Sequence, residues 1–383
     1  MKKFVLSAIT ALFVSPLAAF SAGAADQPTA VGAEVRTVVI GYQLPLTGDR
    51  SQYGEVFRNS ARLQLDKFNK EGGIPGLAVS IRFEDSKDDA KEAVALANSF
   101  SDDPQVLGVL GDFSSTASMA AGAVYGRAHV PQLSQSASHP DFLSVSPWQF
   151  RNIITQATEG AFNAAWIAET GAKTVSVIAI QNDWGLSAAE NFVKTFKEKG
   201  GAVVSTEYFN PGTRDFRPIL TKIARANPDA VYLGMFYEEG AALLQQARQL
   251  GIKSAFFSAS PLYAPKLIDL AGGAADGLRL STSFVPDDPS PLVSDYVAAY
   301  KARYGAVPNM FAAQGYDAAG IMLAALRVAG PGVTRDSLRQ ALAATRDYPG
   351  VTGTTSFDPE TREPVKGLSR LKVENGAFVQ VKD

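Results

Sequence analysis

Leu107–Ala120 reads LGVLGDFSSTASMA. An apolar run from Val106 to Leu110 reaches Gly111 and then meets three hydroxyls, Ser114, Ser115 and Thr116, at the head of a helix-like stretch. A short apolar run closed by glycine reads as a buried strand, and hydroxyls beyond it as a helix start. In an open parallel sheet, ligands bind past the carboxyl ends of the strands. A helix start at that place offers unpaired N–H groups and the positive end of a dipole, so an acid group can dock without Lys or Arg. The plainer alternative is that Ser114 or Ser115 simply caps the helix. A second instance lies close by: VPQLS (130–134) opens onto QSASHPDF (135–142), so Ser115 and Ser138 face one crevice from two adjacent strand ends.

The same rhythm extends outward. TVVIGYQLP (37–45) is strand-like, and 53–71 places Phe57, Ala61, Leu65 and Phe68 on one helical face before Gly72-Gly73. LAVSIRFED (77–85) reads as a strand and 88–101 as a helix. The pattern pauses at FRNIIT (150–155) and restarts with a helix carrying Phe162, Trp166 and Ile167. The strands TVSVIAIQ, AVVSTEYF, AVYLGMF and KSAFFSA follow. Alternation of this kind predicts parallel sheets covered by helices, and the pause predicts two lobes rather than one barrel. Near the end, LSRLKVENGAFVQV (368–381) predicts a hairpin turning at Asn375-Gly376.

The beginning of the chain reads as an address. Lys2 and Lys3 precede an apolar stretch from Phe4 to Phe20, and Ala22-Gly23-Ala24 supplies small residues for cleavage. That is the pattern of a secretory signal peptide over 1–24. The 383 residues contain no cysteine, so neither a disulfide nor a lipid on an N-terminal cysteine is available. Free solution in a bacterial periplasm is the expected location. Removing Lys2 and Lys3 leaves 34 of the 36 basic residues against 38 acidic ones, a net charge of −4. With no basic patch, nucleic acid is excluded as a partner.

The segments GYQLPLTGDRSQYGEVFRNSARLQLDKFNKEGGIPG, FEDSKDDAKEAVALANSF, LGDFSSTASMAA and SQSASHPDF, with VYLGMFYEEGAALLQQARQLG and QGYDAAGIMLAAL further on, resemble the periplasmic leucine/isoleucine/valine-binding protein family. These are substrate-binding components of ABC transporters. The resemblance implies an α/β fold of two Rossmann-like lobes, the type I periplasmic binding arrangement, joined by three crossing strands. The crossings are expected near 152–156, 281–284 and 354–358. Lobe one takes 36–154 and 284–355, and lobe two 155–283 and 356–383. A monomer that closes on a small carboxylate-bearing ligand and docks on a membrane permease, with no cofactor, is implied.

Carried over by position, the resemblance implies nine ligand-binding residues. Tyr53 matches an aromatic wall residue. Ser115, Ser136 through its backbone, and Ser138 match the carboxylate cradle. Trp184, Phe236 and Tyr316 match aromatic contacts, with Tyr237 beside Phe236. Ser260 falls where leucine-type members carry the acid that pairs with the ligand's ammonium. Either another acid takes over, with Glu238 or Glu239 as candidates, or the ligand is an amine-free aromatic or aliphatic acid. The family's cysteine pair is absent, and Ser114 occupies one of its positions.

Enzyme readings find little support. His129 and His139 are the only histidines, too few and wrongly spaced for a common zinc motif. His139 could line the crevice or serve as a turn residue before Pro140. WGLSA (184–188) lacks the second glycine of a nucleophile elbow, and no GxxxxGK[ST] occurs. A ligand-sensing domain of the same fold is the rival class. It is expected to carry a membrane helix or an output domain, and transport is the favoured expectation here.

Overall fold

The computed structural model describes residues 35–381, so the expected signal peptide lies outside the described residues. The first half alternates strand and helix: β1 (Arg36–Leu44), α1 (Ser51–Lys70), β2 (Leu77–Asp85), α2 (Ala90–Asp102), β3 (Val106–Leu110), α3 (Ser115–Arg127), β4 (Gln132–Ser134) and β5 (Gln149–Arg151). The strands form one parallel sheet in the order β2-β1-β3-β4-β5. All five residues of β3 are buried, as a central strand covered on both faces requires.

After β5 the chain leaves this sheet and builds a second. Its first part runs α4 (Gln156–Glu169), β6 (Thr174–Ile180), α5 (Asp183–Glu198), β7 (Ala202–Phe209), α6 (Arg217–Ala226) and β8 (Ala230–Gly234). It continues with α7 (Tyr237–Gln249), β9 (Ala255–Ser258), α8 (Pro265–Ala271) and β10 (Arg279–Thr282). The chain then returns to the first sheet, which α9 (Pro291–Tyr304), α10 (Met310–Ala329) and α11 (Arg335–Ala343) reach through α1, β3 and β4. It crosses once more to close the second sheet with β11 (Ser369–Glu374) and β12 (Ala377–Gln380).

The second sheet has seven strands in the order β12-β11-β10-β9-β8-β6-β7. Its β-α units are parallel, whereas β11 and β12 are an antiparallel hairpin at one edge. Asn375 and Gly376 both take positive φ, 50° and 73°. That is the requirement of a two-residue turn with left-handed central residues, and it explains the Asn-Gly dipeptide. Two α/β lobes and the restart at 150–155 are therefore as the sequence implies. Three segments carry the chain between the sheets: 152–155, 283–290 and 344–368. Trp148 and Trp166 are buried in the cores.

Candidate functional site

The carboxyl ends of β3 and β4 meet those of β6, β8 and β9 across a cleft. Between them lies about 570 Å³ of atom-free space, part of it continuous with solvent. On the first-lobe side, Ser114 is the cap of α3: its hydroxyl accepts from the Ala117 N–H at 3.3 Å. The N–H groups of Ser115 and Thr116, first and second in the helix, have no acceptor among the described residues. The Ser115 hydroxyl accepts from the His139 N–H at 3.2 Å, which leaves its own proton for the cavity.

The loop after β4 completes this side. Ser138 Oγ accepts from the indole nitrogen of Trp184 at 3.1 Å and keeps its proton free. Ser136 also lines the cavity, but its donors are spent on the protein. Its hydroxyl donates to the Phe113 carbonyl at 2.7 Å and its backbone N–H to Ser134 Oγ at 3.3 Å. Ser136 thus ties the two loops together rather than offering the backbone donor that its position implied. Beneath the loop, the fully buried Arg151 donates to the carbonyls of Ala137 (3.1 Å), His139 (2.8 Å) and Pro140 (3.1 Å), and forks onto Glu363. His139 accepts from the Asp141 N–H through Nδ1 and is a turn residue, outside the lining.

The second lobe supplies a lid of rings and one acid. Trp184, in the first turn of α5, stacks on Phe236 with centroids 5.1 Å apart. Phe113 and Phe311 from the first lobe face them across the cavity, with Phe113 and Phe236 5.5 Å apart. Ser260 lines the cavity, and its N–H donates to Glu159 Oε1 at 2.8 Å. Ser281 Oγ donates to the same oxygen at 2.7 Å. Burial pushes the Glu159 carboxyl above its ordinary value, against the pull of these hydrogen bonds.

Residues 37–377 match the family described as periplasmic binding protein. The chain belongs to the periplasmic binding protein family. A protein from Rhodospirillum rubrum, provisionally assigned to branched-chain amino acid ABC transport, is 53% identical with a TM-score of 0.70. The match covers 90% of this chain and 100% of that one. The leucine-binding protein LivK of Thermotoga maritima is 28% identical with a TM-score of 0.85, over 90% and 98% of the two chains. The leucine-, isoleucine-, valine-, threonine- and alanine-binding protein of Pseudomonas aeruginosa is 28% identical over 84% of this chain and 86% of that protein.

A periplasmic binding protein binds and hands over; it is not an enzyme. Among the described residues no helix is long and apolar enough to cross a membrane. What this binding protein needs besides a pocket is a device that holds its lobes together, and several expected site residues belong to that device. Tyr53 stacks on the back of Phe113 (4.4 Å), donates across the cleft to the Pro261 carbonyl (2.9 Å) and accepts from the Tyr237 N–H (3.3 Å). Tyr237 donates back to the Asp49 carbonyl at 3.1 Å. Neither ring lines the cavity.

Tyr316 is a clearer correction. It packs on Tyr296 (4.4 Å) and lines a different cavity, between α1, α9 and α10. In this periplasmic binding protein α10 turns Met310, Phe311 and Gln314 to the cleft instead. Two residues beyond Gln314 the helix has rotated about 200°, which carries Tyr316 to the far face. Glu238 and Glu239 are also elsewhere: both pair with Arg50 from the first lobe, Glu239 Oε1 at 2.7 Å, and the guanidinium lies 4.1 Å over the Phe236 ring. The acid in the cavity is Glu159, which sequence reasoning missed. Its only local signal was an acid in the first turn of the helix that opens after the first crossing, a position any dipole-complementing carboxylate takes.

Proposed function

We propose that the protein captures an apolar α-amino acid of branched-chain size in the periplasm and delivers it to an ABC permease. The observation that carries this reading is a cavity between two lobes, with free hydroxyl and amide donors at one end and rings around the rest. The ligand carboxylate docks on the Ser115 and Thr116 N–H groups and on the Ser115 and Ser138 hydroxyls, where the start of α3 favours negative charge. The apolar side chain lies among Phe113, Trp184, Phe236 and Phe311.

Lobe one (36–154 and 284–355) binds first, and lobe two (155–283 and 356–383) swings on the three crossings to close. A ligand favours closure only by the contacts it adds in the closed form. Trp184, Phe236 and Ser260 are those contacts. Homologues at 53% identity share closely similar lobe cores. A TM-score of 0.70 along the full length therefore supports a different angle between lobes in that relative. The mature chain acts as a monomer after loss of residues 1–24, and the permease reads the closed surface.

Thermal denaturation with L-leucine, L-isoleucine and L-valine tests the proposal. A ligand at a hundredfold excess over its Kd adds about 2.7 kcal/mol, an upward Tm shift of several degrees. Stabilisation by 4-methylpentanoate or benzoate, with none by the amino acids, contradicts it.

A further inference from the structure

The first-lobe end of the cavity is built wholly from uncharged donors. Among the described residues, the lining contains one charged side chain, Glu159, with 5% of its surface exposed. Its three neighbours are the Ser260 N–H, the Ser260 hydroxyl and Ser281 Oγ, all neutral donors. No Lys, Arg or His forms a salt bridge with it among the described residues. A buried carboxylate without a cation is costly, because Coulomb attraction is not there to offset the lost hydration. Other buried acids differ: Asp112 also lacks a salt bridge among the described residues but lies outside the cavity lining, whereas two acids are supplied with a cation. Arg50 answers Glu239, and Lys366 answers Asp317.

The position of Glu159 is also informative. The Gln156 N–H donates to the Ser138 carbonyl at 2.9 Å, so α4 starts against the loop that carries the cradle. Three residues further, Glu159 is about 5 Å along the helix axis. The acid cradle and the lone carboxylate line one cavity, as a molecule that holds a carboxylate and a cation on one carbon requires.

We infer that Glu159 is the counter-ion of the ligand's α-ammonium, replacing an acid at position 260, and that it restricts the pocket to zwitterionic amino acids over amine-free acids. This rests on the amino-acid reading above and names the residue that decides it. When the cavity holds an ammonium, the group donates to Glu159 at the second-lobe wall while the carboxylate stays on the first lobe. One ligand therefore spans both lobes, and its two charges pull them together. A purely structural Glu159, stapling α4 to β10 and to the start of the 260–262 turn, is the competing role.

Isothermal titration of full-length mature protein with L-leucine and with 4-methylpentanoate separates the two. Glu159→Gln keeps an oxygen for the Ser260 N–H and the Ser281 hydroxyl but removes the charge. Leucine affinity is expected to fall at least roughly tenfold, the loss of one charge-assisted hydrogen bond, while 4-methylpentanoate holds its affinity or gains. Glu159→Asp restores part of the leucine affinity. A melting curve for each variant monitors the fold. Equal losses for both probes, or unchanged leucine binding, overturn the inference and leave the amino-acid reading standing. Wild-type protein that takes 4-methylpentanoate and refuses every apolar amino acid overturns both.

Discussion

The Trp184 indole nitrogen donates to the Ser138 hydroxyl at 3.1 Å, from the second sheet's α5 to the loop after β4 on the first. Because Ser138 Oγ accepts there, its own proton is aimed away from Trp184 and is available to a carboxylate. Closure and acid binding are thereby coupled through one hydroxyl. Trp184→Phe retains a ring over Phe236 but deletes the donor. The expected loss is about 0.5–1.5 kcal/mol, or roughly two- to tenfold in affinity, carried mostly by faster release. Stopped-flow tryptophan-free displacement kinetics measure it.

Arg50 reaches across the cleft to Glu238 and Glu239, whose side chains are 9% and 2% exposed. Removing it leaves two carboxylates facing each other in a dry seam only when the lobes are shut. Arg50→Ala is expected to weaken ligand binding by about 2 kcal/mol or more. Small-angle scattering will show a smaller ligand-induced contraction. Adding Glu238→Gln and Glu239→Gln to this variant recovers part of the loss, since no charge is then stranded.

Arg151 holds the loop that presents Ser138 through three carbonyls and Glu363. A planar fork is required, so Lys is not an equivalent. Arg151→Met is expected to cost about 3 kcal/mol or more in urea unfolding and to raise amide exchange over 135–142. Arg151→Lys fails to restore either.

Three acids near the cleft are held well above their ordinary range by burial. Glu238 is pushed up to about 7, Asp112 to about 7 and Asp88 to about 6. A raised folded value means that the native state holds protons the unfolded chain has released. Their stabilising share is complete below about pH 4 and is lost as pH rises through 6 and 7. Burial is the largest single influence on Asp85 and raises it, but four hydrogen bonds together outweigh it; Asp103, Asp229 and Asp358 are lowered chiefly by hydrogen bonds. They act oppositely, losing stability as pH falls below about 4. The Tm of ligand-free protein is therefore expected to peak between about pH 4 and 5 and decline toward 8. Glu238→Gln flattens that decline; an unchanged slope would contradict the assignment.

Much of this was legible from residue order. The apolar run ending at Gly111, the pause at 150–155 and Asn375-Gly376 are local signals, and the two sheets, their interruption and the edge hairpin follow from them. Ser115, Ser138, Trp184, Phe236 and Ser260 all reach the cavity for the same reason: each stands at or just past the carboxyl end of a parallel strand. What was not legible depended on distant partners. Glu238 and Glu239 offered themselves as ligand acids until Arg50, far earlier in the chain, claimed both. On α10, sixteen of twenty residues are buried, so no polar face marks which side meets the cleft, and Phe311 was passed over for Tyr316. Glu159 looked like any first-turn acid because its lack of a cation is a property of the folded neighbourhood.

The most direct test is a crystal structure of the mature protein with L-leucine. Its carboxylate is predicted within about 2.5–3.0 Å of the Ser115 and Ser138 hydroxyls, with both lobes closed over the side chain at Trp184 and Phe236. A leucine bound outside the cleft, or one whose carboxylate faces the second lobe instead, would refute the account.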